Sequence, residues 1–259
     1  MAMTSNATPQ FNFKGRRSPL TLTITILVVL SGILLSLSGF YADWLWFKSV
    51  AFTSVWTTVL TTKIFLFVIA GLLTSSIILL NIIIAYKRRP LYVPLSIEAD
   101  NLERYRAQIE PIKRWVVLAL AVGLFYFAGT SGSALWESWL LFKNSTSFGV
   151  KDPQFNMDIS FFAFKLPFYQ TLIAWAISTL VLAIIAAAVV HYLYGGIRLQ
   201  VQEDRTTVAA RVQLSVLLGG VVLMKAVAYW FDRYQLALKE SKLITGLTYT
   251  DVNATLPAK

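Results

Sequence analysis

The chain has 259 residues, 56% hydrophobic and only 14% charged, with 23 Lys and Arg against 13 Asp and Glu and a net charge of +10. Soluble domains carry about 25% charged residues, so an ordinary water-soluble enzyme is excluded, and so is a disordered chain, given this much apolar side chain to bury. Cysteine is absent, which removes disulfides, thiolate metal sites and thiol nucleophiles together.

The lengths of the uncharged stretches predict the fold class: an all-α, polytopic transmembrane helix bundle of about five spans. A helix rising 1.5 Å per residue needs about 20 apolar residues to cross hydrocarbon. A tail over 1–19 carries Lys14, Arg16 and Arg17 and leads into a first span at 20–40. This pattern resembles a secretory signal, but the apolar run exceeds the 7–15 residues of a signal core. A retained span is expected. The second span is predicted at 64–86, where Asn81 is the only amide.

The connector that follows holds Lys87, Arg88 and Arg89, then prolines, then Ser96 ahead of Glu98 and Asp100. Ser96 before acidic residues predicts the cap of a short helix, read as a solvated connector rather than a partner-docking element. The third span is predicted at 115–136. The next loop is dense in aromatics from Phe148 to Tyr169, which predicts a segment lying in the membrane interface with its rings inserted. In that reading Asp152, Asp158 and Lys165 face water and Asp158 serves as an N-cap. Asp152 and Asp158 also form the one candidate carboxylate pair for acid–base chemistry, but no base, metal set or nucleophile accompanies them.

The fourth span is predicted at 168–193, with Pro167 at its start, where a missing N–H is harmless. His191, the single histidine, stands near its end beside Tyr192 and Tyr194 and reads as an interfacial side chain. Gly195 and Gly196 supply a stop. A fifth span at 210–230 encloses Arg211 and Lys225, both read as snorkelling toward headgroups. Small residues four apart, Gly32/Ser36, Gly129/Ser133 and Ala183/Ala187, allow close helix approach. No acid lies inside any predicted span, which counts against ion-coupled transport.

Orientation follows from basic residues and tryptophans. A cytoplasmic N-terminus puts 13 Lys and Arg inside and 10 outside, with Lys87–Arg89 and Lys113–Arg114 directly abutting membrane ends. Trp44, Trp46, Trp56, Trp136, Trp139 and Trp230 then share the outer interface, and Trp115 lies at the inner one. The expected location is a membrane, crossed with the N-terminus on the cytoplasmic side and the C-terminus outside. Basic residues gathered at span ends point to anionic headgroups and not to nucleic acid.

The outer loop also carries a resemblance. The run Asp152, Pro153, Phe155, Asp158, Phe164, Pro167 and Phe168 resembles the signature of a bacterial multi-pass membrane family known as uncharacterised protein family 0182. Trp44, Trp46 and Phe47 agree with it, as do Asp232, Arg233 and Tyr234, Asp251 within the stretch Tyr249 to Val252, and Leu256-Pro257. Phe162 stands where the family usually has Tyr. The resemblance implies the N-terminal part of a longer protein, with further spans and a large extracytoplasmic domain beyond. On it the chain divides into a cytoplasmic tail (1–19), a transmembrane bundle (20–231) and the start of an extracytoplasmic region (232–259).

The functional expectation is a structural or accessory membrane-anchoring component of a larger envelope protein. The alternatives are a transporter or channel for a neutral or lipid-like solute, with Lys225 beside its mouth, and the anchor of an enzyme whose catalytic residues lie beyond residue 259. The lipid bilayer is the expected partner, together with other membrane or extracytoplasmic proteins. No cofactor, metal or catalytic residue is expected in this chain.

Overall fold

The computed structural model describes residues 19–90, 97–199, 205–239 and 246–258. The predicted tail up to residue 18 and the capping role of Ser96 lie outside the described residues. Among those residues the protein is all-helical, with two isolated bridges and no strand. Five helices are long and apolar enough to cross a membrane: Leu22–Ser49, Thr53–Lys87, Leu102–Ser133, Phe161–Leu193 and Val208–Leu238. They coincide with the five predicted spans, and each runs longer than predicted. Charged and aromatic residues end an apolar run without ending the helix that carries it.

The chain forms two compact units, Met1–Thr58 and Val59–Lys259. In the first, helix α1 (Pro19–Ser49) continues through Trp44 and Trp46. It stops where Ala51 takes a positive φ of 63°, a conformation that breaks the ladder and costs a side-chain-bearing residue strain. Within this unit Phe40 packs edge-on against Trp56 at 4.9 Å, and Lys48 stands 4.9 Å over the Trp44 ring. Nothing approaches Gly32, so the Gly32/Ser36 pair makes no helix contact here; Ser36 instead donates to the Gly32 carbonyl at 2.9 Å.

The second unit contains most of α2 (Thr53–Lys87), then α3 (Ile97–Ile109), α4 (Lys113–Ser133), α5 (Trp136–Lys143), α6 (Leu166–Leu193) and α7 (Val208–Gln235). Small residues set its packing. A Cβ at Gly71 would stand 2.8 Å from Phe125, one at Gly129 2.8 Å from Phe67, and one at Gly132 2.3 Å from Ala70. Glycine is what lets α2 and α4 come this close. Further along α2, Ala183 and Ala187 of α6 are fully buried in a cluster with Ile78, Ala85 and Leu217. Of the three predicted small-residue pairs, Ala183/Ala187 lies at a contact as a pair, while Gly129 does so with Gly132 in place of Ser133.

Helix ends follow local chemistry. The predicted third span breaks after Ser133, where Gly129-Thr-Ser-Gly-Ser133 concentrates weak helix formers, and Trp136 starts α5. Thr207 caps α7, its hydroxyl accepting the Ala210 N–H at 3.3 Å. At the end of α6, Gly195 has φ 75°, its N–H donates to the Tyr192 carbonyl at 3.1 Å, and the Gly196 N–H donates to the His191 carbonyl at 2.6 Å. These two bonds make a Schellman stop, as the two glycines predicted. Before α6, the turn Phe161–Lys165 is widened to a π-helix, and Leu166 donates to the Phe161 carbonyl five residues back. The widening precedes Pro167, whose ring would strike the carbonyl four residues behind it in a regular helix.

Candidate functional site

The densest chemistry lies at the end of the second unit that carries the 144–165 loop. The loop is tied by its two aspartates. Asp152 accepts the N–H groups of Gln154 at 2.9 Å and Phe155 at 2.7 Å, and Pro153 takes the second turn position, which suits its fixed φ. Asn156 sits at φ 54°, a conformation asparagine tolerates well. The Asp152 N–H then reaches the Met157 carbonyl at 2.8 Å, and the Ile159 N–H reaches Val150 at 3.0 Å, closing the loop on itself.

Asp158 is the centre of the knot. Its carboxylate accepts the N–H groups of Phe148 at 3.1 Å, Gly149 at 3.0 Å and Ser160 at 2.9 Å, and the Ser147 hydroxyl. The Ser147 hydroxyl, the Ser160 side chain and the surrounding backbone donors hold its pKa well below the usual carboxylate range. The Ser160 bond is the predicted N-cap, since helix begins at Ile159 and runs through the wide turn into α6. With their oxygens committed to backbone donors, Asp152 and Asp158 act as turn builders, and the acid–base pairing has no geometry to support it.

The rings of this loop turn toward α7. Phe155, Phe161 and Phe162 lie 5.0, 5.4 and 6.4 Å from Tyr234, and Phe231 of α7 meets Tyr169 of α6 at 5.4 Å. Phe162 is only 5% exposed, a position where the hydroxyl of a tyrosine would need a partner. Where rings inserted in the membrane interface were expected, three of them pack on protein, and from Ile159 onward the segment forms the first turns of α6. Each such pair contributes roughly 0.5–1.5 kcal/mol beyond the area it buries. Arg233 completes the latch. Its guanidinium lies 3.6 Å over the Trp230 ring and donates to the Tyr234 hydroxyl at 2.7 Å, while its buried Nε has no partner among the described residues.

The remaining predicted residues fall around this latch or apart from it. Phe164 meets Phe148 at 5.5 Å and lines an open cavity of about 340 Å³ with Trp136, Glu137, Leu140 and Asn144. Pro167 follows the wide turn. Asp232 is half-buried and makes no ion pair among the described residues. Lys225 is exposed on α7. Asp251 lies in the C-terminal helical turn, where its carboxylate accepts the Thr248 N–H at 3.1 Å, the Thr248 hydroxyl at 2.7 Å and Lys239 at 3.2 Å. Thr248 returns the favour by accepting the Asp251 N–H at 3.1 Å, a reciprocal capping box readable as Thr-x-x-Asp. These bonds, Thr248 first, hold Asp251 down to a pKa of about 2.

One cluster escaped the sequence reading. His191 is 1% exposed and not interfacial, and its Nε2 meets Gln213 Oε1 at 3.0 Å. Gln213 in turn donates through Nε2 to the Asn81 carbonyl at 2.9 Å and to Asn81 Oδ1 at 3.2 Å. An imidazole and two amides thus join α6, α7 and α2 where an unsatisfied polar group is most costly. Because Gln213 Nε2 donates to Asn81, its Oε1 is the acceptor, and His191 carries a proton on Nε2. The Gly195-Gly196 stop is part of the arrangement, since a Cβ at Gly196 would stand 2.8 Å from His191 Nδ1.

The described residues hold no group of three or more His, Asp or Glu placed to bind a metal ion. Comparison with known proteins shows a match over residues 20–259 to the model of the family described as Uncharacterised protein family (UPF0182). The chain belongs to this family. It is 46% identical over 245 residues to a UPF0182 protein of Streptomyces coelicolor, covering 93% of this chain and 24% of that one. A Nocardioides relative is 45% identical over 247 residues, covering 95% and 25%, and one from Thermobifida fusca is 43% identical over 246, covering 94% and 24%. The chain spans about a quarter of the length of the curated relatives it matches. No solved structure matches it.

Proposed function

We propose that this chain is a membrane-anchoring helical region of a larger envelope protein, crossing the bacterial cytoplasmic membrane five times with its N-terminus inside and its C-terminus outside. The observation that carries this reading is the latch at the loop end. Two connected spans, α6 and α7, are tied together there by protein contacts of the 144–165 loop, leaving the lengths of the helices apolar toward their surroundings. In water such surfaces would drive aggregation; in hydrocarbon they are the solvated state. The relatives, all bacterial and about four times as long, support an anchoring role for a region of this kind.

Extraction tests it. Membranes from cells expressing the chain are washed with alkaline carbonate and floated on a density gradient. The chain is expected to remain in the floating fraction and to leave it only with detergent. Release by carbonate alone would contradict the anchoring reading.

A further inference from the structure

At the opposite end of the second unit from the 144–165 loop, three elements bring cations together around Tyr194. Arg89, just past α2, has its guanidinium carbon 4.3 Å from the Tyr86 ring centre and 5.5 Å from that of Tyr194. Arg106 of α3 stands 5.7 Å from the same Tyr194 ring, and the two tyrosines meet edge-on at 5.1 Å. Arg106 also donates through Nε to the carbonyl of Leu193 at the end of α6, where a helix leaves carbonyls unpaired and its dipole is negative. That bond fixes the guanidinium plane.

The fixed plane leaves something unfinished. Among the described residues, Arg106 Nη2 is buried with no hydrogen-bond partner, and neither Arg89 nor Arg106 forms an ion pair. Of the two acids on the wall of this site, Glu110 is engaged by Lys113 and the Tyr86 hydroxyl, and Glu103 forms no ion pair among the described residues. A buried guanidinium N–H without an acceptor carries a desolvation cost that a native site normally offsets. Beside it opens a cavity of about 370 Å³ lined by Arg89, Pro90, Glu103, Arg106, Glu110 and Tyr194.

We propose that this cavity binds the phosphate of an anionic phospholipid headgroup, held between Arg89 and Arg106. Paired arginine forks suit phosphate oxygens, and basic pockets between helices at a cytoplasmic surface take anionic headgroups. The source is lipid and not free phosphate because apolar surface adjoins the site. Past Glu110 the chain exposes Ile112, Trp115 and Leu118, each more than half open, on which acyl chains can lie. The site gives the anchor a preference for anionic membrane and rests on the membrane-anchoring reading above.

The test uses the full chain in nanodiscs of phosphatidylcholine with a small fraction of phosphatidylglycerol, followed by native mass spectrometry of retained lipid. Phosphatidylglycerol is expected to be retained in preference to phosphatidylcholine. Arg106→Gln and Arg89→Gln should each weaken that preference by about fivefold, the loss of one hydrogen bond to the phosphate. Arg88→Gln, exposed and outside the cavity wall, should leave it unchanged. Arg89 makes no helix-end hydrogen bond, so its variant keeps the test sound if Arg106→Gln destabilises α6. Glu103→Gln should retain phosphatidylglycerol at least as well as the unaltered chain; loss of binding would point to Glu103 as a structural partner and overturn the site. Equal retention of both lipids by a chain that still incorporates into the discs overturns the site and leaves the anchoring reading intact. Displacement of the lipid by millimolar inorganic phosphate would make the ligand a soluble anion and overturn the lipid assignment.

Discussion

The two ends of the second unit use charge in opposite ways. At the loop end, every donor to Asp158 comes from Ser147 to Ser160, and Asp152 is served by its own turn. At the basic end, Arg89, Arg106 and Tyr194 arrive from three separate elements, and neither arginine forms an ion pair among the described residues. A carboxylate surrounded by backbone N–H groups builds a shape. An arginine held in place with an N–H to spare is a receptor. Between these ends, the glycine contacts of α2 and α4 and the His191–Gln213–Asn81 chain keep the helices in register.

The largest expected effect comes from breaking that middle. Gly132→Leu drives a side chain into Ala70 and the Leu66 carbonyl and should cost about 3 kcal/mol, seen as a lower unfolding midpoint in detergent. Tyr234→Ala removes the ring on which Phe155, Phe161 and Phe162 converge. A loss of about 2 kcal/mol is expected, together with protease cleavage between residues 148 and 157 that leaves the basic end intact. If both ends loosen together, the comparison fails. Gln213→Leu leaves His191 without its buried partner and should cost roughly 1–2 kcal/mol; an unchanged midpoint would mean water replaces the amide.

Acid should separate the two segments built on carboxylates, with a smaller effect. The pKa of Asp251 is depressed to about 2, below the ordinary value of about 3.9. A depressed carboxylate adds stability that is complete above its unfolded pKa and lost as pH falls through the folded one. The C-terminal turn and its Lys239 contact are thus expected to hold above about pH 4 and to loosen toward pH 2, read as growing hydrogen exchange at 246–258. Asp158, depressed further, should hold its loop to still lower pH. Loosening of both segments at one pH would contradict the assignment of separate donor sets.

What was legible in the sequence follows the same division. The five helices could be read because charge-free length is a one-dimensional quantity, and the Asp158 cap and the Gly195-Gly196 stop could be read because their partners lie within a few residues. Their true ends were not, since α1 continues past Asp43 and Trp46 until Ala51 turns it, and a positive φ at alanine has no sequence signature. His191 looked interfacial beside two tyrosines; only the α6–α7 contact, which brings Gln213 from 22 residues away, buries it. The latch of Phe155 on Tyr234 joins two halves of the family motif that are separated in the chain by two long helices. The Thr248–Asp251 capping box has its partners three residues apart and is legible in the spacing alone.

The cysteine-free background makes the central claim directly measurable. Single cysteines at Ser5, Ser54, Ser96, Ser147, Thr206 and Ser241 are labelled with an impermeant maleimide from each side of sealed vesicles. Five crossings with the 144–165 loop outside predict labelling at inside, outside, inside, outside, inside and outside in that order. Labelling of Ser147 and Thr206 from the same side would contradict a crossing by α6 and, with it, the account of both ends.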